Sequence, residues 1–250
     1  MPNSSATAAA PAVQAVGFQV TYRNEQGAEQ QAPLIVVGDV AFEAAVPVRG
    51  FPSHRGQRNY PGLYWSASGA RHVGYESLLE RDQAMLMDFD LDIVAFAAQP
   101  FWLHWHDGKR QRRHAPDYFA RRDDGTGVVV DCRPVGRISP RDAAVFHATR
   151  RACSAVGWHY VLVHAHDPVV VANVRWLAAY RHPRYHDPQT ATALLEVFAQ
   201  PMPLLAGAGR VGDPIGVLPV LYHLLWTGRL RVDLTVGLRE DAVVKPGVRG

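Results

Sequence analysis

Apolar and polar positions change rhythm several times along the chain. GFQVTYR (17–23) alternates with a period of two, which predicts a strand. PLIVVGDVAFEAAVPV (33–48) holds a short apolar run and predicts one strand plus a turn or short helix. FPSHRGQRNYPGLYWSASGARH (51–72) is crowded with Gly, Ser, Pro and Arg, and predicts a long ordered loop carrying aromatics. YESLLERDQAMLMDFD (75–90) has a helical repeat: Leu78, Leu79, Met85 and Leu86 share much of one face, and Glu76 and Glu80 lie four apart. IVAFAAQPFWLHW (93–105) turns to strand character after Pro100. Residues 107–134 predict antiparallel strands, with turns at Asp107-Gly108 and at 123–127. SPRDAAVFHATRRACSAVG (139–157) is a helix with Ser139 as N-cap, Pro140 in the first position and Gly157 as its stop. WHYVLVHAHD (158–167) is a strand. This order predicts an α/β fold, a mixed sheet flanked by helices.

The texture changes after Asp167-Pro168. Residues 169–182 and 189–199 read as helices, and 215–234 as a helix, a turn at Thr227-Gly228 and a strand. Leu218, Leu221, Leu224, Leu225 and Trp226 read most simply as core. The expected organisation is a tail over 1–14, a larger domain over 15–167 and a smaller, mostly helical C-terminal domain over 168–250. Of the 250 residues, 48% are hydrophobic and 20% charged, which excludes a disordered chain. No apolar run reaches the ~18 residues that a membrane-spanning helix needs. The opening stretch has neither a basic n-region nor a sustained apolar core, so no signal peptide is expected. Cys132 and Cys153 are the only cysteines, too few for a disulfide framework, and a cytoplasmic location is expected.

The net charge of +3 is modest, but its carrier is informative: Lys109 and Lys245 are the only lysines. Arginine recognises phosphate through a planar, bidentate fork. KRQRRH (109–114) and Arg121-Arg122 flank Asp117, and Lys109, Arg110, Arg112, Arg113 and Arg121 are candidate nucleic-acid contacts, as are Arg55 and Arg58 of SHRGQR. They would track phosphate without reading sequence. As plain edge charges they would instead guard the sheet against edge-to-edge pairing. The pairs His104/His106 and His164/His166 lack further ligands at zinc spacing.

Three acids could do chemistry. Glu80 lies on the first strong helix, Asp117 in APDYF, and Asp131 in VVVDCRP at a strand end. Asp131 and Arg133 share a strand face, with Cys132 on the other. Hairpinned strands would set Asp117 beside Asp131. Clustered carboxylates bind hard divalent cations that carry phosphodiester hydrolysis. Each acid taken alone reads first as a solvated surface charge or a cap.

In order, SHRGQR (53–58), ESLLER (76–81), DFDLDIVAFAAQP (88–100), APDYF (115–119), VVVDCRP (128–134) and VVVANVRWLAAY (169–180) resemble the TnsA-like endonuclease subunits of heteromeric transposases. LYHLLWTGRLRVDL (221–234) fits as well, so the resemblance covers about 50 to 245. It implies a restriction-endonuclease-like catalytic domain and a winged-helix-like C-terminal domain. It also implies Mg²⁺ or Mn²⁺ as cofactor and cleavage of double-stranded DNA at the 5′ ends of a transposon. The implied partners are a DDE-type transposase and an AAA+ ATPase regulator, with no membrane involved. Through Ser77-x-x-Glu80 the resemblance makes Glu80 the catalytic glutamate, with Glu76 as fallback. Asp117 becomes the metal-binding aspartate. Asp131 falls where relatives carry glutamine or an acid, and is the third metal ligand. Arg133 stands where a lysine is usual. Arginine cannot surrender its proton to activate water, but it can grip the scissile phosphate. Two rival readings remain open: a stand-alone restriction- or repair-type nuclease, and a catalytically silent subunit that docks DNA or a partner.

Overall fold

A computed structural model describes residues 17–51 and 60–247. The early strands are β1 (Gln19–Arg23), β2 (Glu29–Pro33), β3 (Gly62–Ser66) and β4 (Arg71–Tyr75). Next come β5 (Ile93–Ala98), β6 (Phe101–His106), β7 (Gln111–His114), β8 (Tyr118–Arg122), β9 (Gly127–Cys132) and β10 (His159–Val163). β11 (Met202–Pro203), β12 (Leu230–Arg231) and β13 (Val243–Pro246) complete the described strands. The helices are α1 (Leu78–Phe89), α2 (Pro140–Ala155), α3 (Pro168–Ala178), α4 (Pro188–Val197), α5 (Leu204–Val211) and α6 (Pro214–Trp226). The protein is therefore mixed α/β with several sheets.

Two compact units form. The first takes the described parts of Met1–Gly62, with Val73–Glu76 and Asp92–His164. The second takes Leu63–His72, Ser77–Leu91 and the described parts of Ala165–Gly250. The division at 164/165 lies close to the expected one at 167/168. The second unit also recruits two earlier segments, one of which holds α1. Long-range packing of this kind leaves no mark on local composition.

The first unit is built on two four-stranded sheets. One is antiparallel, in the order β2-β1-β6-β7. The other runs β10-β9-β8-β5 and is mixed: β9 and β10 are parallel, and the remaining pairs antiparallel. Parallel neighbours need a crossover, and α2 supplies it between β9 and β10. α2 starts as its sequence predicts. The Ser139 hydroxyl accepts from the Asp142 amide, and Asp142 reaches back to the Ser139 amide. Such a capping box contributes about 1 kcal/mol. Gly157, at φ +75°, turns the chain out of α2. The core is aromatic: Phe42 meets Phe101, Phe119 and Trp158 edge-on at centroid distances of 4.9, 5.5 and 5.7 Å. Each such pair adds about 0.5–1.5 kcal/mol beyond its burial.

Three local expectations are corrected. After Pro33, which ends β2, residues 34–48 hold two 3₁₀ turns, Leu34–Val36 and Phe42–Ala44, and a single bridge from Val46 to Arg23 in place of a strand. Leu34, Val37 and Phe42 are all buried, a spacing that an alternating strand cannot deliver to one core. Within the expected loop 51–72, β3 and the start of β4 are strands, turned at Ala70 with φ +47°. Strand character in 93–105 begins before Pro100, in β5, and not only after it. The strand EQQAP (29–33), which no expectation covered, is mostly exposed and carries no hydrophobic alternation to announce it.

In the first unit, the His104 ring shares a 3.0 Å hydrogen bond with Thr21 across β1 and β6. Burial, then the nearby Arg113 charge, pushes its pKa below the usual 6.5. The folded chain thus binds fewer protons at this ring than the unfolded chain once pH falls below about 6.5. Stability is expected to fall with pH between about 7 and 5, and His104→Gln should flatten that slope. Urea unfolding at the two pH values reads it directly; an unchanged slope refutes this role for His104.

In the second unit, α3, α4, α5 and α6 pack with α1 and with the three-stranded sheet β11-β13-β12. α6 buries Val217, Val220, Leu221, Leu224, Leu225 and Trp226. Among the described residues no single helix is long and apolar enough to cross a membrane. α5 and α6 reach that length only together, and the chain bends by 119° between them.

Candidate active site

The register of β8 on β9 pairs Tyr118 with Val130, so one step further sets Asp117 opposite Asp131. Backbone bonds tie the two acids together. The Cys132 amide donates to Asp117 Oδ2 at 2.7 Å, and the Asp117 amide to Asp131 Oδ1 at 3.3 Å. Two carboxylates 14 residues apart in sequence thus share one strand end.

Their surroundings differ. Asp131 is only 2% exposed. His114 Nε2 lies 2.9 and 3.0 Å from its two oxygens, and the Tyr160 hydroxyl donates to Oδ2 at 2.9 Å. A buried carboxylate demands such partners. Burial, then the Asp131 charge, raises the pKa of Tyr160 well above the ordinary phenol value and does the same to the Cys153 thiol. Both therefore stay protonated beside the carboxylate. Asp117 is only partly buried.

Glu76 belongs to the same unit. Arg49 grips it bidentately at 2.6 and 3.0 Å, and Gln99 Nε2 donates to it at 3.2 Å. Gln99 in turn donates its amide to the Asp117 carbonyl at 2.9 Å. Gln99 is 2% exposed, takes φ +48°, and buries Oε1 without a hydrogen-bond partner. A strained, orphaned amide joining Glu76 to Asp117 is the kind of outlier that clusters at functional sites. Glu80 falls in the second unit, at the start of α1. Its amide donates to Ser77 Oγ at 3.2 Å and its carboxylate accepts from that hydroxyl at 2.8 Å. Within the first unit, Glu76 is linked through Gln99 to the backbone of Asp117.

Arg133 donates its backbone amide to Val163 and sets its guanidinium 3.9 Å from Asp142. Its side chain is 45% exposed. Lys109 and Arg110 are exposed at the β6–β7 turn. Arg112 pairs with Asp107 at 2.5 Å, and Arg113 lies over the Trp102 ring at 4.4 Å. Arg121 is different: its guanidinium donates to Glu43, Gly125 and Val40 and lies over Phe119. Those bonds tie it into the interior of the first unit. Arg55 and Arg58 lie outside the described residues.

His114, Tyr160 and Gln99 were not singled out from sequence. His114 precedes Asp117 by three residues and was readable as a neighbour of the pair; Tyr160 and Gln99 carry no local signal. Among the described residues no three His, Cys, Asp or Glu side chains are arranged to hold a metal ion. What converges is the two carboxylates; Gln99, whose backbone amide bonds the Asp117 carbonyl, buries an amide oxygen without a hydrogen-bond partner. No family model matches the chain, and no curated protein matches it significantly.

Proposed function

We propose that this chain is a Mg²⁺-dependent DNA endonuclease subunit of the TnsA-like kind, acting in the cytoplasm. In this reading the first unit is a restriction-endonuclease-like domain. The second is winged-helix-like and docks the transposition ATPase, while a DDE-type transposase handles the other strand. The observation that carries the reading is the juxtaposition of Asp117 and Asp131 at the end of β8 and β9.

The residues suit Mg²⁺ or Mn²⁺, though not as a closed cage. Mg²⁺ is commonly held by one or two carboxylates plus substrate phosphate. Asp117 and Asp131 would supply the carboxylates, and the unpartnered Gln99 Oε1 is a hard oxygen beside the Glu76–Asp117 link. When bound, the ion would offset charge on the scissile phosphate and lower the pKa of water. The chain's own residues position the rest. His114 and Tyr160 fix the Asp131 carboxylate in one orientation, and Arg49 does the same for Glu76. Arg133, with its half-exposed guanidinium, would grip a phosphate oxygen and stabilise added negative charge.

The test is cleavage of duplex DNA bearing transposon ends, with and without partner subunits. Arg133→Lys should keep metal-dependent cleavage, because a cation stays at the phosphate. Asp117→Ala should lose it; the opposite pattern would sink the assignment. One observation favours a second reading, a silent docking subunit: both Asp131 oxygens are already engaged and Arg133 cannot act as a base. Calorimetry separates the two, since that reading predicts no heat with millimolar Mg²⁺ or Mn²⁺.

A further inference from the structure

The β6–β7 hairpin and α2 enclose a groove of about 690 Å³ in the first unit. Arg110, Arg112 and Arg113 line it from the hairpin, and Arg141 and Arg151 from the helix. Asp107 is the one acid among its lining residues, and it is committed to the turn. It accepts the Arg110 and Lys109 amides and pairs with Arg112, and those bonds hold its carboxyl well below the usual range. The groove is therefore strongly positive. His106 and His147 also line it.

The α2 wall is spaced for a track. Arg141, Ala144, Ala148 and Arg151 recur at helical intervals and line one side. Two small alanines separate two arginines about 15 Å apart along the axis, at ~1.5 Å per residue. That span equals about four base-pair rises along a duplex axis, at ~3.4 Å each. A lone phosphate could not engage both ends. Arginine forks suit phosphate oxygens, and the alanines leave room for the polymer between them. Arg112 points the track toward the acids: on β7 it shares a face with His114, which bonds Asp131.

We infer that this groove is a phosphodiester-backbone track that seats duplex DNA along α2, through Arg141 and Arg151 together with the hairpin arginines. The choice of duplex rests on the endonuclease reading; the track itself does not.

The test is fluorescence anisotropy with a short blunt duplex, in EDTA, with salt stepped from 50 to 200 mM. Each phosphate contact contributes about 0.9 to the slope of log affinity against log salt. Arg141→Ala/Arg151→Ala should lower the slope by about 1.8 and weaken binding about 10- to 60-fold at 100 mM salt. Arg210→Ala/Arg239→Ala removes the same charge from exposed positions of the second unit and should leave the slope unchanged. Equal losses in both pairs, no loss in the first, or binding of poly-glutamate but not of duplex would overturn the track. A parent chain that shows the groove-dependent slope yet never cleaves with Mg²⁺ removes the endonuclease reading alone.

Discussion

Asp117→Ala is expected to lower metal-dependent DNA cleavage by about 10³-fold or more. A metal ion at developing charge is worth several kcal/mol, and each ~1.4 kcal/mol is a factor of ten in rate. Asp117 is the less buried of the paired acids and sits just before the start of β8. Its loss also strands the Cys132 amide, which donates to Oδ2 at 2.7 Å. That costs about 1–3 kcal/mol of stability and could be mistaken for a catalytic effect. Asp117→Asn controls for it, since the amide oxygen still accepts that bond while the charge is gone. Both variants should lose cleavage, and only Asp117→Ala should lower the urea midpoint. Cleavage by Asp117→Asn at the parent rate would remove Asp117 from the site. The same assay separates the two glutamates: Glu76→Gln should reduce cleavage more than Glu80→Gln, because Glu76 is bonded through Gln99 to the Asp117 segment.

Elements that carry their own punctuation were legible in the sequence. α2 announces itself through Ser139, Pro140 and Gly157, and Gly108 and Gly125 take the positive φ their hairpin turns require. The adjacency of Asp117 and Asp131 followed from one hairpin. What failed depended on distant partners. β2 is a largely polar strand that, among the described strands, pairs with β1 alone. Residues 34–44 abandon extended structure because Leu34, Val37 and Phe42 all reach the same core. Arg121 looks like its basic neighbours, yet its partners Glu43 and Val40 lie about eighty residues away in sequence. Asp131 reads as an open ligand until Tyr160, from the parallel neighbour β10, closes over it. The ionic character of such a position is local; whether the charge is already spent is decided by topology.

Asp88→Ala is expected to cost about 3–5 kcal/mol of stability, because several donors lose one shared acceptor and each stranded group costs about 1–3 kcal/mol. Nothing in DFDLD (88–92) separates Asp88 from Asp90 or Asp92, yet it is 6% exposed and is the hub of the β3–β4 turn. It accepts from the Tyr64 hydroxyl at 2.9 Å, from the Ser66 and Ser68 hydroxyls at 2.8 Å each, and from the amides of Ala67 and Ser68 at 3.0 and 2.9 Å. Burial first, and then the Asp88 charge, raises the Tyr64 pKa, so that hydroxyl stays a donor across the working pH range. Removing the carboxylate leaves these donors without their shared acceptor, and the Tyr64 and Ser66 hydroxyls lose theirs in a buried setting. Asp88→Asn should recover only part of the loss, because its amide group confronts donors with a donor. For a chain of this size ~3–5 kcal/mol corresponds to a fall in Tm of about 6–20 °C. Hydrogen exchange gives the sharper reading: the Ala67 and Ser68 amides should lose protection in Asp88→Ala even under native conditions. A midpoint shift worth less than ~1 kcal/mol, with those amides still protected, would mean that other acceptors take over the turn.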